Sequence, residues 1–283
     1  PFDGGTAELV EKVAVSGGRV FVWTWGGYTG PMGVWAFDAA TGKRLWTTEV
    51  QGGAALVAAD GVVYLGGSFT AIGGHARMGL AALDAATGDV LPWNPGVDWA
   101  VNALAWTGST LYVGGSFGTA GGQLRSNLAA FDAAGALTPW NPGADAAVMD
   151  LAWSGTTVYA AGGFNSVGGE TRHGIAAIDD SGAVTSWNPA GWGTTIGELA
   201  TDGTTLYAQG LVYPAGGEPR YGLAAFDADG RLLAWAPRPL DVSSRWNMGG
   251  NGALAASGGV VYVGGDFVGM FGQDRNGLAA IDV

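Results

Sequence analysis

Five tryptophans, Trp46, Trp93, Trp140, Trp187 and Trp235, follow one another at spacings of 47, 47, 47 and 48 residues. A constant period of that length demands one supersecondary unit repeated in register, which excludes most single-core topologies. A second ladder, Phe21, Tyr64, Tyr112, Tyr159, Tyr207 and Tyr262, runs through short β-prone stretches such as LYVGGSF and adds a sixth copy. Within one copy, VNALAW (101–106) and TLYVGG (110–115) flank a Thr-Gly-Ser turn, and NLAAFD (127–132) and LTPW (137–140) flank Ala-Ala-Gly-Ala. That pattern predicts four short antiparallel strands per copy, the signature of a propeller blade.

The expected fold is therefore all-β: a single six-bladed β-propeller over residues 1–283, with repeats near 10–50, 54–97, 101–144, 148–191, 196–240 and 251–283 plus 1–5. Phe2-Asp3-Gly4-Gly5 aligns with Trp140-Asn141-Pro142-Gly143, so the first residues are expected to complete the outer strand of the last blade and close the ring. A few residues of that strand are missing from the alignment, and a longer multidomain parent chain is expected.

Composition limits the partners. Twelve basic against 24 acidic residues give a net charge of -12, which disfavours nucleic acid and anionic membrane surfaces. No apolar run is long enough for a membrane helix, so no membrane insertion is expected. The chain has no cysteine, which removes thiol catalysis and thiolate metal sites. His75 and His173 are the only histidines and have no partner at metal-ligand spacing; no metal and no cofactor is expected.

AFDAATGKRLW (36–46) fits Ala-x-Asp-x-x-Thr-Gly-x-x-x-Trp and resembles the tryptophan-docking repeat of quinoprotein propellers. The longer consensus of YVGGxF, GGxxRxxLAALDA and WNP is similar to delta-sixty type repeats of large bacterial secreted or surface proteins, and it covers essentially the whole chain. That resemblance implies a blade fold and a secreted or cell-surface bacterial setting. Quinone binding is characteristic of eight-bladed relatives with acidic metal ligands, and it is not carried over.

Residues that recur in at least five of the six copies read as scaffold. Arg77, Arg125, Arg172, Arg220 and Arg275 share one slot, and Asp84, Asp132, Asp179, Asp227 and Asp282 follow each by seven residues. The arginine forks suit turn carbonyls or the neighbouring aspartate, the aspartates suit the hairpin turns, and the ladder tryptophans are expected to pack flat between blades.

Residues that break the repeat are the functional candidates. Trp99, Trp192 and Trp246 stand in blade-to-blade connections, and Trp23, Trp25 and Tyr28 enrich the first copy; exposed rings of this kind are platforms for a sugar face or a partner side chain. On the innermost strand, Lys12, Asp150 and Glu198 replace residues aligned with Leu56, Ala103 and Gly252. Two carboxylates in adjacent blades are the minimum for acid and base in glycoside cleavage; a hydrated channel with compensating charges is the plainer role. The function expected is a non-catalytic extracellular module that binds a glycan or an extracellular protein, or serves a structural role. A glycoside hydrolase or lyase using Asp150, Glu198 and Lys12 is the alternative.

Overall fold

The computed structural model describes residues 9–25, 32–214, 218–235, 237, 252–264, 269–270, 273–274 and 277–283, with Leu9, Trp25, Gly269 and Gln273 described in their backbone only. Every regular element among them is β and every pairing is antiparallel. The chain divides into two compact units, Pro1–Pro139 and Trp140–Val283.

Each repeat is a short meander. In the third, Ala100–Trp106 pairs with Thr110–Ser116, which pairs with Leu128–Asp132; Val148–Ser154, Thr157–Gly162 and Ile175–Asp179 repeat the order in the fourth. The strands are nearly continuous apolar runs because neighbouring repeats cover them. Leu80, Ile175 and Leu223 are all buried in clusters that span one repeat and the next.

Two features depart from the sequence expectation. Among the described residues a full fourth strand, Arg44–Glu49, occurs in the first repeat alone. In repeats two to five the corresponding run makes a single bridge, Leu83↔Val90, Phe131↔Leu137, Ile178↔Val184 or Phe226↔Leu232. Proline explains the difference: Pro95, Pro142, Pro189 and Pro237 stand two residues after the ladder tryptophan, where the first repeat has Thr48. Between the second and third strands lies an additional two-residue hairpin, Ala71–Ile72 with His75–Ala76, Thr119–Ala120 with Gln123–Leu124, and Ser166–Val167 with Glu170–Thr171. Its turn is a Gly-Gly pair with both φ angles positive, +56° and +73° at Gly121 and Gly122, the conformation a tight hairpin requires.

A bulge in the first strand resets the inward register. Lys12, Asp150 and Glu198 lie opposite Trp23, Ala161 and Gln209, and the matching positions elsewhere are Ala55, Ala103 and Ala253, opposite Gly66, Gly114 and Gly264. Leu56 and Gly252 are each one residue out of that row, because the repeats differ in length: Tyr64 and Tyr112 are 48 residues apart, Tyr112 and Tyr159 are 47, and Tyr207 and Tyr262 are 55. Phe2–Gly5 lies outside the described residues.

Candidate functional site

The recurring side chains are engaged with the blades. Trp46 Nε1 donates to Ala85 O at 3.1 Å, Trp140 Nε1 to Asp179 O at 3.0 Å and Trp187 Nε1 to Asp227 O at 3.3 Å, each reaching the hairpin of the following repeat. Trp235 Nε1 lies 3.4 Å from Asp282 O. The rings do not lie flat: Trp187 meets Tyr159 and Phe226 edge-on at 69° and 76°, and Trp93 meets Tyr64 at 71°. Edge-to-face contact suits the opposed charges of ring edge and ring face better than parallel overlap.

Arg77, Arg125 and Arg172 form one motif. Nη1 donates to the preceding carbonyl, Ala76, Leu124 or Thr171, and Nη2 crosses to Leu91, Thr138 or Thr185 at 2.6, 3.0 and 2.6 Å. The fork ties the small hairpin to the run that fails to become a fourth strand. Arg220 opens the strand Arg220–Phe226, and Arg275 lies outside the described residues. Asp179 accepts from the Ser181 hydroxyl at 2.6 Å and from the backbone of its hairpin, and Asp84 accepts from the backbone of its own; those bonds hold both carboxyls below the usual carboxylate range.

Two loop carboxylates act in the same way between connections. Asp98 Oδ1 accepts from Gly118 N and Thr119 N at 2.9 and 3.0 Å; Asp145 Oδ1 accepts from Asn165 N and Ser166 N at 2.8 and 3.1 Å. Partial burial pushes each carboxyl upward, but the backbone donors outweigh it and both are lowered.

The candidates that break the repeat separate into three groups. Trp99 and Trp192 are 71% and 79% exposed. Trp192 stands at the tip of a built turn in which Gly191 N donates to Tyr213 O and Thr194 Oγ1 donates to Gly191 O at 2.9 Å. A Cβ at Gly193 would meet the Tyr213 ring at 3.2 Å, so that ring lies against the same turn, a neighbour that sequence spacing did not suggest. Near Trp99, Met78 is 54% exposed and its carbonyl accepts from Val97 N. Trp23, by contrast, is a core residue: it is 3% exposed and its indole occupies the space above Gly53. The glycine opposite leaves room that the large ring fills, which removes Trp23 from the binding candidates. Tyr28, Trp246 and the Trp25 side chain lie outside the described residues.

Asp150 is half-buried and its oxygens accept from Leu151 N at 2.8 Å and from Leu199 N at 2.6 Å. The carboxylate thus clasps the first strand of the next repeat beside Glu198. Lys12 belongs to the N-terminal unit, Asp150 and Glu198 to the C-terminal one. Among the described residues no cluster of His, Asp and Glu could hold a metal ion, and no helix is long and apolar enough to cross a membrane.

The N-terminal unit also contains a cleft of about 970 Å³ between the connection Glu49–Gly52 and the hairpin Ala71–Ile72/His75–Ala76. Sequence reasoning missed it; the signal available was Gln51 in the slot that holds Asp98 and Asp145 in the next two repeats.

Repeated antiparallel meanders with docked tryptophans are the units of a β-propeller repeat protein. The family model described as outer membrane protein assembly factor BamB matches residues 5–188, and the chain belongs to that family. The crystal structure of BamB from Moraxella catarrhalis is 17% identical, with 95% of this chain and 70% of that chain covered at a TM-score of 0.53. The WD40 domain of Neurospora crassa Pan2 is 14% identical, covering 94% and 77% at 0.55. A chain of the mitotic checkpoint complex is 16% identical, covering 98% and 75% at 0.65. These likenesses concern the fold. No curated protein sequence matches the chain.

Proposed function

We propose that this chain is a non-catalytic binding module of a secreted or cell-surface bacterial protein, recognising a glycan or a protein through aromatic loops on one face of the propeller. The observation that carries the reading is the exposure of Trp99 and Trp192, 71% and 79%, in a chain whose ladder tryptophans are enclosed by neighbouring repeats. Leaving an indole in water forgoes about 2 to 3 kcal/mol of burial, and a rigid turn holding it there suits a ring kept free for a partner. Membership in a family described as a protein assembly factor favours a protein among the partners. Six blades of delta-sixty type, with Phe2–Gly5 closing the ring, complete the proposal.

A carbohydrate-active enzyme using Asp150 and Glu198 is the competing reading. The bonds from Leu151 N and Leu199 N to Asp150 favour a structural task for that carboxylate, since a general acid or base must exchange protons with substrate.

The test is a titration of tryptophan fluorescence with neutral and acidic oligosaccharides and with a peptide library, run alongside product analysis and a Trp99→Ala/Trp192→Ala variant. Saturable quenching without products, lost in the variant, is expected. Products that disappear in Asp150→Asn would replace the module by an enzyme.

A further inference from the structure

The second repeat lacks a carboxylate that the third and fourth supply to themselves. In the third repeat, Asp98 follows the bridged residue Val97 and caps the N–H groups of Gly118 and Thr119; in the fourth, Asp145 follows Ala144 and caps Asn165 and Ser166. In the second, Gln51 follows the bridged residue Val50, and the matching donors are the N–H groups of Thr70 and Ala71. Arg77 N donates to Thr70 O, as Arg125 N does to Gly118 O and Arg172 N to Asn165 O, so all three small hairpins share one phase. That phase turns the Ala71 N–H out of the ladder, as it does for Thr119 and Ser166. Among the described residues neither Thr70 N nor Ala71 N meets an acceptor, and both residues line the cleft.

A pair of convergent backbone donors is a small anion receptor. Its preference is documented twice within this molecule, each time for a carboxylate oxygen, and the lowered carboxyls of Asp98 and Asp145 accord with that preference. The surroundings narrow the ligand. Glu49 and Asp89 line the same cleft with Thr47, Ser68 and His75. Two carboxylates repel any anion but accept hydrogen bonds from hydroxyl groups, and those bonds can offset the repulsion only for an anion that brings hydroxyls with it, so the chemistry suits a ligand that carries a carboxylate and several hydroxyls together. A volume of about 970 Å³ has room for more than one sugar ring.

We infer that the cleft in the N-terminal unit binds a uronate-bearing oligosaccharide, with the N–H groups of Thr70 and Ala71 receiving the uronate carboxylate in the place left by Gln51. This rests on the glycan arm of the proposed function and uses none of its tryptophans, so the Trp99→Ala/Trp192→Ala variant keeps the site.

The experiment is a backbone amide NMR titration of the full chain with trigalacturonic acid, its neutral galactose counterpart and a tetraglutamate peptide. The account expects saturable shifts of the Thr70 and Ala71 amides with the uronate and none with the neutral sugar. Gln51→Asp supplies the missing cap from within. It should weaken uronate binding about tenfold or more and shift the two amides of the free protein in the direction seen for capped Thr119 and Ser166. Gln51→Asn should bind like the parent. Unmoved amides, an equal response to the neutral sugar, or undiminished binding by Gln51→Asp would overturn the site. Shifts with tetraglutamate alone would overturn the sugar as its ligand.

Discussion

Trp93 and Trp99 are six residues apart in sequence and live in different solvents. Trp93 is wedged edge-on between Tyr64 of its own repeat and Phe131 of the next, while Trp99 stands 71% exposed in the following connection. The contrast recurs five residues apart at Trp187, enclosed by Tyr159 and Phe226, and Trp192, 79% exposed. The blades repeat because each ladder indole needs the same cage, whereas Trp99 and Trp192 stand at exposed tips of the connections, where the side chain is free to vary.

The largest expected effect lies on the enclosed side. Trp187→Ala should cost about 3–5 kcal/mol in denaturant unfolding, since it empties an aromatic cage and leaves Asp227 O with Gly230 N as its remaining donor. A loss below about 1 kcal/mol would mean the cage is not what joins the repeats. Next comes Arg172→Ala, which removes donors from Thr171 O and Thr185 O in a nearly buried position and should cost about 2 kcal/mol. Arg172→Lys should recover only part of this, because an ammonium cannot span both carbonyls with a planar fork.

Acid should act through the loop and hairpin aspartates. Folded Asp84, Asp98, Asp145 and Asp179 have carboxyls below the ordinary aspartate value of 3.8, so they bind protons less readily than in the unfolded chain. Their contribution is complete above that value and fades as the pH falls through the folded values. Melting temperature should therefore be flat near neutrality and drop below about pH 4, and Asp98→Asn with Asp145→Asn should flatten that drop at the cost of a lower plateau. The smallest change should come from the exposed side: Trp99→Ala and Trp192→Ala should each stay within about 0.5 kcal/mol of the parent in stability while abolishing ligand-induced quenching.

The period of the tryptophans was enough to read the repeat and its all-β meander, because a regular cage demands a regular spacing. The fourth strand was not legible in the same way: LTPW has strand composition, but proline in and around it removes ladder donors, and the outcome depends on which carbonyls the arginine fork takes instead. The small hairpin was visible in principle as a Gly-Gly pair, yet reads as loop until its register is known. Trp23 resembled Trp99 as a tryptophan out of period, and only the space above Gly53 distinguishes them. The cleft beside Gln51 depends on an absence in one repeat, which acquires meaning only when the aspartates of the next two are seen to hold backbone donors.

The most direct measurement is hydrogen exchange at the indole Nε1–H groups, followed residue by residue in the NMR spectrum of the intact chain. The account predicts strong protection for Trp140 and Trp187, which donate to carbonyls of the next repeat, and exchange as fast as in free indole for Trp99 and Trp192. Comparable protection of all four would contradict the division between scaffold and display on which the account rests.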